Sequence, residues 1–324
     1  MIEIHPFHNA DPPVLLEIWQ KCANEKPQYF RPLSPNLLEQ QILGSPYFDR
    51  KGLFLAKEGN NSVGFAHAAF GPNADYTGLD YSTGIICLVM ITPDCQEKDT
   101  VAQNLLDSAE DYLISSGATQ IYGGASRPIA PFYMGLYAGS EPIGVFVSDH
   151  LIFQLFRNAG YNIQNQTVLF RISLEKYRIP ISAKSAHWRR KIKLEFDDSA
   201  KPSHWWEACM MCHFEWLEMN GSLDRGEPPI ARVAVRIMES AEPSLVTYYM
   251  QLAGLLDIEV DTAHQKKGLG AYLLGEMIRE LQHRGVKTLE IQAPMDNLPL
   301  VRLLTEMHWE RVEEGTVFLK TVRP

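Results

Sequence analysis

Residues 255–292 read LLDIEVDTAHQKKGLGAYLLGEMIRELQHRGVKTLEIQ. The apolar run over 252–260 predicts a strand, the periodic segment 268–283 an amphipathic helix that stops at Gly285, and 287–292 a second strand. Between strand and helix lies Gln265-Lys266-Lys267-Gly268-Leu269-Gly270-Ala271. Glycines there let backbone amides come close to a ligand. A helix N-terminus adds unpaired N–H groups and a positive dipole end, so the segment is suited to cradling a diphosphate. Lys266 and Lys267 bring positive charge to this spot in a chain whose formal net charge is -9.

The same strand–helix–strand unit occurs earlier in the chain. Strand 84–91 leads to a helix over 100–115 that ends at Gly117, followed by strand 119–122. Thr100 and Gly268 are 168 residues apart, as are Gly117 and Gly285, whereas the final helices (Leu155 and Leu303) are 148 apart. The first half therefore carries an insert, 125–148, rich in Pro, Gly and aromatic residues, which functions as a binding loop or covers a sheet edge. Upstream, helices are predicted over 13–23 and 35–43, then strands 52–57 and 62–70 joined by a Gly-Asn-Asn turn.

A chain of 324 residues accommodates two domains of about 150 residues each. The poorly patterned stretch 173–185 is the expected linker, giving domains 1–173 and 186–324. A helix predicted over 231–240 leaves about eleven residues before the strand at 252. The second half is therefore expected to lack one or both hairpin strands and to have its sheet completed by the first.

On the residues 252–306, the second half resembles the GNAT N-acetyltransferase superfamily, whose loop Q/R-x-x-G-x-G/A binds the pyrophosphate of acetyl-CoA after the fourth strand. The segment quoted above looks like that of a bacterial ribosomal-protein N-acetyltransferase, and DNLPLVRLLTEMHW (296–309) like its final helix. The resemblance implies an α/β fold with mixed sheets, made of two tandem GNAT domains as in mycothiol synthase. It implies that Ile258 and Val260 offer backbone groups to the acyl-pantetheine arm, that Gln265, Lys266, Lys267, Gly268, Leu269, Gly270 and Ala271 wrap the pyrophosphate, and that Asn297 lies near the pantetheine. The implied cosubstrate is acetyl-CoA, with a small-molecule or protein amine as acceptor. The first half has PDCQEKDTVAQNLL at the loop, with no glycine and with Glu97 and Asp99 where phosphate would sit, so no CoA is expected there.

The chain departs from the family at its acid and base. Gly254 and Gln292 stand where relatives carry Glu, and Leu304 where the usual acid Tyr falls, its first-half counterpart being Phe156. Glu259 and Glu290 are the remaining candidate bases, each alternating with apolar neighbours along its strand, and Tyr133 or Tyr137 of the insert is a candidate acid. Two other readings follow from these gaps: a non-catalytic acyl-CoA sensor or scaffold, and an aminoacyl or long-chain acyl transferase of the double-GNAT type.

Composition narrows the rest. The acidic balance argues against nucleic-acid binding. No apolar run is long enough for a membrane helix and residues 1–11 lack a leader pattern, so a cytoplasmic location with reduced cysteines is expected. No metal is expected, because Cys209-Met210-Met211-Cys212-His213 reads as a buried helix face beside Trp205, Trp206, Phe214 and Trp216.

Overall fold

A computed structural model describes residues 2–180, 183–198, 201–211, 214–238 and 252–322. They form two compact units. The first comprises the described residues of Met1–Val168, Ser203–Cys212 and Glu313–Pro324; the second comprises those of Leu169–Pro202 and His213–Val312.

In the first unit, strands β1 (Ile2–Pro6), β2 (Leu53–Glu58), β3 (Asn61–Pro72) and β4 (Leu79–Ile91) run antiparallel in that order. β5 (Gln120–Gly123) is parallel to β4, the outcome of a helical crossover through α3 (Lys98–Ser115). Val101, Leu105 and Ala109 recur every fourth residue along α3 and are fully buried, in one core with Ile152, Leu155 and Phe156 of α4 (His150–Asn158). Helices α1 (Pro12–Glu25) and α2 (Pro35–Leu38) complete the unit's helices in the first half, and β6 (Val145–Phe146) is the insert's own strand.

β13 (Glu310–Thr321) is the last strand of the chain, yet Phe318 to Thr321 pair antiparallel with β5 and Gly315 and Thr316 pair with β6. The closing segment of β7 (Asn162–Ser173), in turn, belongs to the second unit, where β7 lies beside β12 (Thr288–Pro294). β7 and β13 are the two copies of one element, 148 residues apart, and each is split between the units. The compact units are thus discontinuous in sequence, unlike the contiguous division into 1–173 and 186–324.

The second unit continues with α5 (Ala183–Lys191), β8 (Lys193–Asp197), β9 (Glu215–Ser222), β10 (Ala231–Ile237) and β11 (Leu252–Val260). β8 to β11 form an antiparallel run and β12 is parallel to β11. The helix expected over 231–240 is therefore a strand where described, and the hairpin expected to be missing is present. ARVAVRI alternates apolar residues with Arg232 and Arg236, and the β-branched Val233 and Val235 favour the pleated conformation. Residues 239–240 lie outside the described residues.

Two more expectations change. The stretch 173–185 is not a loose linker where described: Gln282 donates from Nε2 to the carbonyls of Leu174 and Tyr177, and Tyr177 donates its hydroxyl to Met307 O at 2.8 Å. The tryptophan-rich helix is short. α6 (Trp205–Met211) belongs to the first unit, where Trp206 is fully buried and donates to Pro128 O at 2.7 Å, whereas Trp216 lies on β9. Cys212 and His213 of the C-x-x-C-H motif lie outside the described residues.

Candidate functional site

In the second unit, α7 (Leu269–His283) starts from Gly268, which has φ +83° and is left-handed at the N-cap. Lys266, two residues earlier, is also left-handed, with φ +59°. No side chain caps α7, and its first i→i−4 hydrogen bond runs from Tyr272 N to Gly268 O at 3.1 Å. The amides of Leu269, Gly270 and Ala271 therefore have no partner within the helix. Gln265 Nε2 donates to Val260 O at 2.9 Å and Lys267 Nζ to Ala263 O at 2.7 Å, folding the loop back on the end of β11.

The two glycines are there for different reasons. A Cβ at Gly268 would meet Lys184 Cβ at 2.7 Å in a backbone conformation unfavourable to L side chains, so this position requires glycine. A Cβ at Gly270 would make ordinary contacts at 3.6, 3.8 and 3.9 Å with Val260, Ile258 and Leu303. A methyl group fits there, whereas a long acidic chain would bring a carboxylate in among these apolar side chains at the start of the helix. These contacts also place Ile258 and Val260 on the side of β11 that faces the start of α7.

The parallel ladder between β11 and β12 extends only from Leu252–Thr288 to Gly254–Glu290. Beyond it β11 continues to Val260, and its pairing with β10 skips Leu256, a bulge between Leu255 and Asp257. A strand edge that leaves its neighbour in this way presents unpaired backbone donors and acceptors to whatever occupies the gap. Asn297 is the N-cap of α8 (Leu298–Glu306), and its Oδ1 accepts from Leu300 N at 3.2 Å.

The candidate bases differ in setting. Glu290 is fully buried where the ladder ends, and Arg171 of β7 holds its Oε1 through Nη2 at 2.6 Å and Nε at 2.7 Å. Glu259 has a side chain 61% exposed and pairs with Arg232 Nη2 at 3.1 Å. Arg232 also bridges Glu218 at 2.9 Å and Asp257 at 3.7 Å, so three carboxylates surround one guanidinium. Glu290 does not share the exposed setting that its alternation with Leu289 and Ile291 suggested; β12 is buried on both sides there.

The corresponding place in the first unit is closed. Glu58, at the end of β2, accepts from Gln96 N at 3.1 Å and from Glu97 N at 3.2 Å, so a carboxylate of the chain itself occupies the amides preceding α3. Asp99 adds negative charge in the first turn. A cavity of about 220 Å³ remains beside the end of β4, lined by Cys22, Lys26, Phe30, Met90, Lys98 and Asp149 among others. That is below the roughly 300–1,000 Å³ of common ligand pockets. Burial pushes the Cys22 thiol up to about 12, so it is no nucleophile at neutral pH.

The insert is packed inside the first unit. Tyr133 and Tyr137 are buried, Tyr133 stacking on Trp19 with its hydroxyl 2.9 Å from His67 Nδ1, and Tyr137 lying against Phe30 and Phe146. Burial raises both phenols far above their ordinary range and encloses them in the first unit's core, unlike the accessible proton donor that the sequence suggested. Burial alone holds the His67 imidazole down at about 3. Leu304 and Phe156, which replace the family's tyrosine, are core residues.

Sequence reasoning missed Arg171 and Glu58, since no motif marks either. It also missed Trp188 of α5, which is buried and donates from Nε1 to Lys267 O at 2.9 Å. A tryptophan in the basic stretch AKSAHWRRK was the one available sign that this stretch packs.

Known proteins resemble the chain in sequence and in fold. Residues 185–309 match the Acetyltransferase (GNAT) family. Among curated proteins, the [ribosomal protein bS18]-alanine N-acetyltransferase of Escherichia coli (strain K12) is 30% identical over 90 residues, 28% of this chain and 61% of the relative's length. A tandem GNAT protein from the clavulanic acid biosynthesis pathway superposes with a TM-score of 0.68 at 11% identity, over 100% of this chain and 99% of that one. A GCN5-related N-acetyltransferase from Sphaerobacter thermophilus gives 0.65 at 12% identity, over 100% and 96%. The chain shares its fold with tandem GNAT proteins, and residues 185–309 carry the sequence match to the family. Among the described residues, no helix is long and apolar enough to cross a membrane.

Proposed function

We propose that this protein is a CoA-dependent N-acyltransferase, using acetyl-CoA, whose working site is formed by β11, β12 and α7 of the second unit. The observation that carries this reading is the uncapped start of α7, where Leu269, Gly270 and Ala271 offer amides beside Lys266 and Gly268. Backbone donors at a helix start suit a diphosphate because they bind its charge without a counter-ion being buried. The gap between β11 and β12 beyond Gly254 and Glu290 suits an extended acyl-pantetheine arm, with Ile258 and Val260 supplying backbone partners and Asn297 its side-chain amide.

The acceptor in this reading is an amine, free or on a protein. Glu218, Asp257 and Glu259 outnumber the one guanidinium among them and favour a cation. An ammonium must lose a proton before it attacks the thioester carbonyl. Glu259, exposed to water, takes that proton, and Glu290, held by Arg171, fixes the apex of the gap; with Leu304 in place of a tyrosine, solvent protonates the departing thiolate.

Thiol release from acetyl-CoA in the presence of an amine panel tests the proposal. Amine-dependent release that Glu259→Gln slows without changing CoA affinity is the expected result. Tight CoA binding with no turnover on any amine would favour a sensor or scaffold, the reading that buried Leu304 supports.

A further inference from the structure

We infer that α5 is part of the phosphate site, with Lys184 supplying a cation to the CoA diphosphate from outside the family's loop. This inference rests on the acyl-CoA reading above. The side chain of Lys184 lies along Gly268: a Cβ at that glycine would be 2.7 Å from Lys184 Cβ, 3.5 Å from Cγ and 3.2 Å from Cδ. Cδ lies beside Gly268, the N-cap residue of α7, and the ammonium is two bonds further on, so the helix start is within its reach. Among the described residues, no carboxylate forms a salt bridge with Lys184.

One turn further along α5, Trp188 is buried, donates to Lys267 O at 2.9 Å and sets its ring edge-on to His264 at 6.0 Å. α5 therefore grips the loop at His264, Lys267 and Gly268, the residues that aim the amides. Glycine at 268 has a second purpose in this arrangement, since it makes room for the lysine stem as well as for the left-handed turn. Lys184, at the end of the stretch that the sequence assigns to a linker, thus brings charge to a phosphate cradle, and Trp188 of the same helix brings rigidity. Cofactor binding and docking of α5 support each other, because a diphosphate between the amides and Lys184 contacts both elements.

The test measures affinity by calorimetry for CoA, dephospho-CoA and acetyl-pantetheine, in wild type and in Lys184→Gln, Lys184→Glu and Lys184→Arg. Lys184→Gln keeps the stem that packs on Gly268 and removes the charge, so a loss of binding in it is not a loss of folding, which far-UV circular dichroism checks. Loss of one charge-assisted contact is expected to weaken CoA and dephospho-CoA alike by roughly tenfold in Lys184→Gln and by more in Lys184→Glu. Lys184→Arg should stay near wild type and acetyl-pantetheine should be unaffected throughout.

Equal CoA affinity in wild type and Lys184→Glu would overturn the inference while leaving the cofactor reading in place. A loss confined to CoA and absent for dephospho-CoA would also overturn it, because the contact would then be to the 3′-phosphate. Failure of wild type to bind CoA at all would overturn both.

Discussion

The N-termini of α3 and α7 occupy the same point of a repeated strand–helix–strand unit and neither has a side-chain cap, but the loops that lead into them differ. At α3 the donors before the helix go to Glu58, from a strand 38 residues upstream of Gln96. At α7 two residues of the loop turn left-handed and the stem of Lys184 packs against Gly268. A helix end can be stabilised by its own protein's carboxylate or left to a ligand's phosphate, and both are electrostatically equivalent solutions. The difference is that the first loop is tied down by a carboxylate of its own chain and the second is not. One half of this molecule has settled the matter internally.

The contrast extends into the sheets. The gap in the second unit ends at an ion pair between half-buried Arg171 and buried Glu290, whereas the interior of the first unit around His67, Phe132 and Tyr133 is uncharged. The largest effect is therefore expected from Arg171→Ala, which leaves Glu290 buried without its arginine and should cost about 3–5 kcal/mol. Urea unfolding would measure it, and a loss below about 1 kcal/mol would mean the pair contributes little. Next comes Gly270→Glu, which adds a negative charge within the first turn of α7; CoA affinity should fall on the order of 100-fold, about 2.7 kcal/mol. Gly270→Ala, whose methyl group finds only ordinary contacts, should bind nearly as wild type does.

The uncharged interior makes its own prediction. His67 is held at about 3 in the folded chain and an unfolded imidazole titrates near 6.5, so between those values the unfolded chain binds a proton the folded one lacks. Stability contributed by this residue is present above about pH 6.5 and declines as pH falls toward 3, by about 1.4 kcal/mol per unit. His67→Gln should flatten that part of the pH–stability curve; an unchanged slope would mean the imidazole is not kept neutral. The smallest effect is expected from Glu58→Ala, which frees the amides of Gln96 and Glu97. The first unit should lose about 0.5–2 kcal/mol and still bind no CoA, because its loop has no glycine and keeps Glu97 and Asp99. A second CoA site appearing in this variant would show that Glu58 alone keeps the first unit closed.

What the sequence revealed was local. Offsets of 168 and 148 residues exposed the repeat, and the glycines at 268 and 270 located the loop, because turn chemistry and helix starts are written in adjacent residues. What it hid was long-range. The placement of β13 beside β5, the Glu58 cap and the Arg171–Glu290 pair join residues far apart in the chain, and one sequence carries no sign of which distant partner each one takes. The helix expected over 231–240 failed for another reason: ARVAVRI alternates with period two, and the β-branched valines settled the ambiguity in favour of a strand. Tyr133 and Tyr137 looked available on a Pro- and Gly-rich loop, but that loop has a core of its own and buries them.

The central claim is that a single helix start in this chain holds the diphosphate of CoA. Calorimetric titration of the intact protein with CoA tests it most directly: the account predicts one molecule bound per chain. Two molecules per chain, or none, would contradict it.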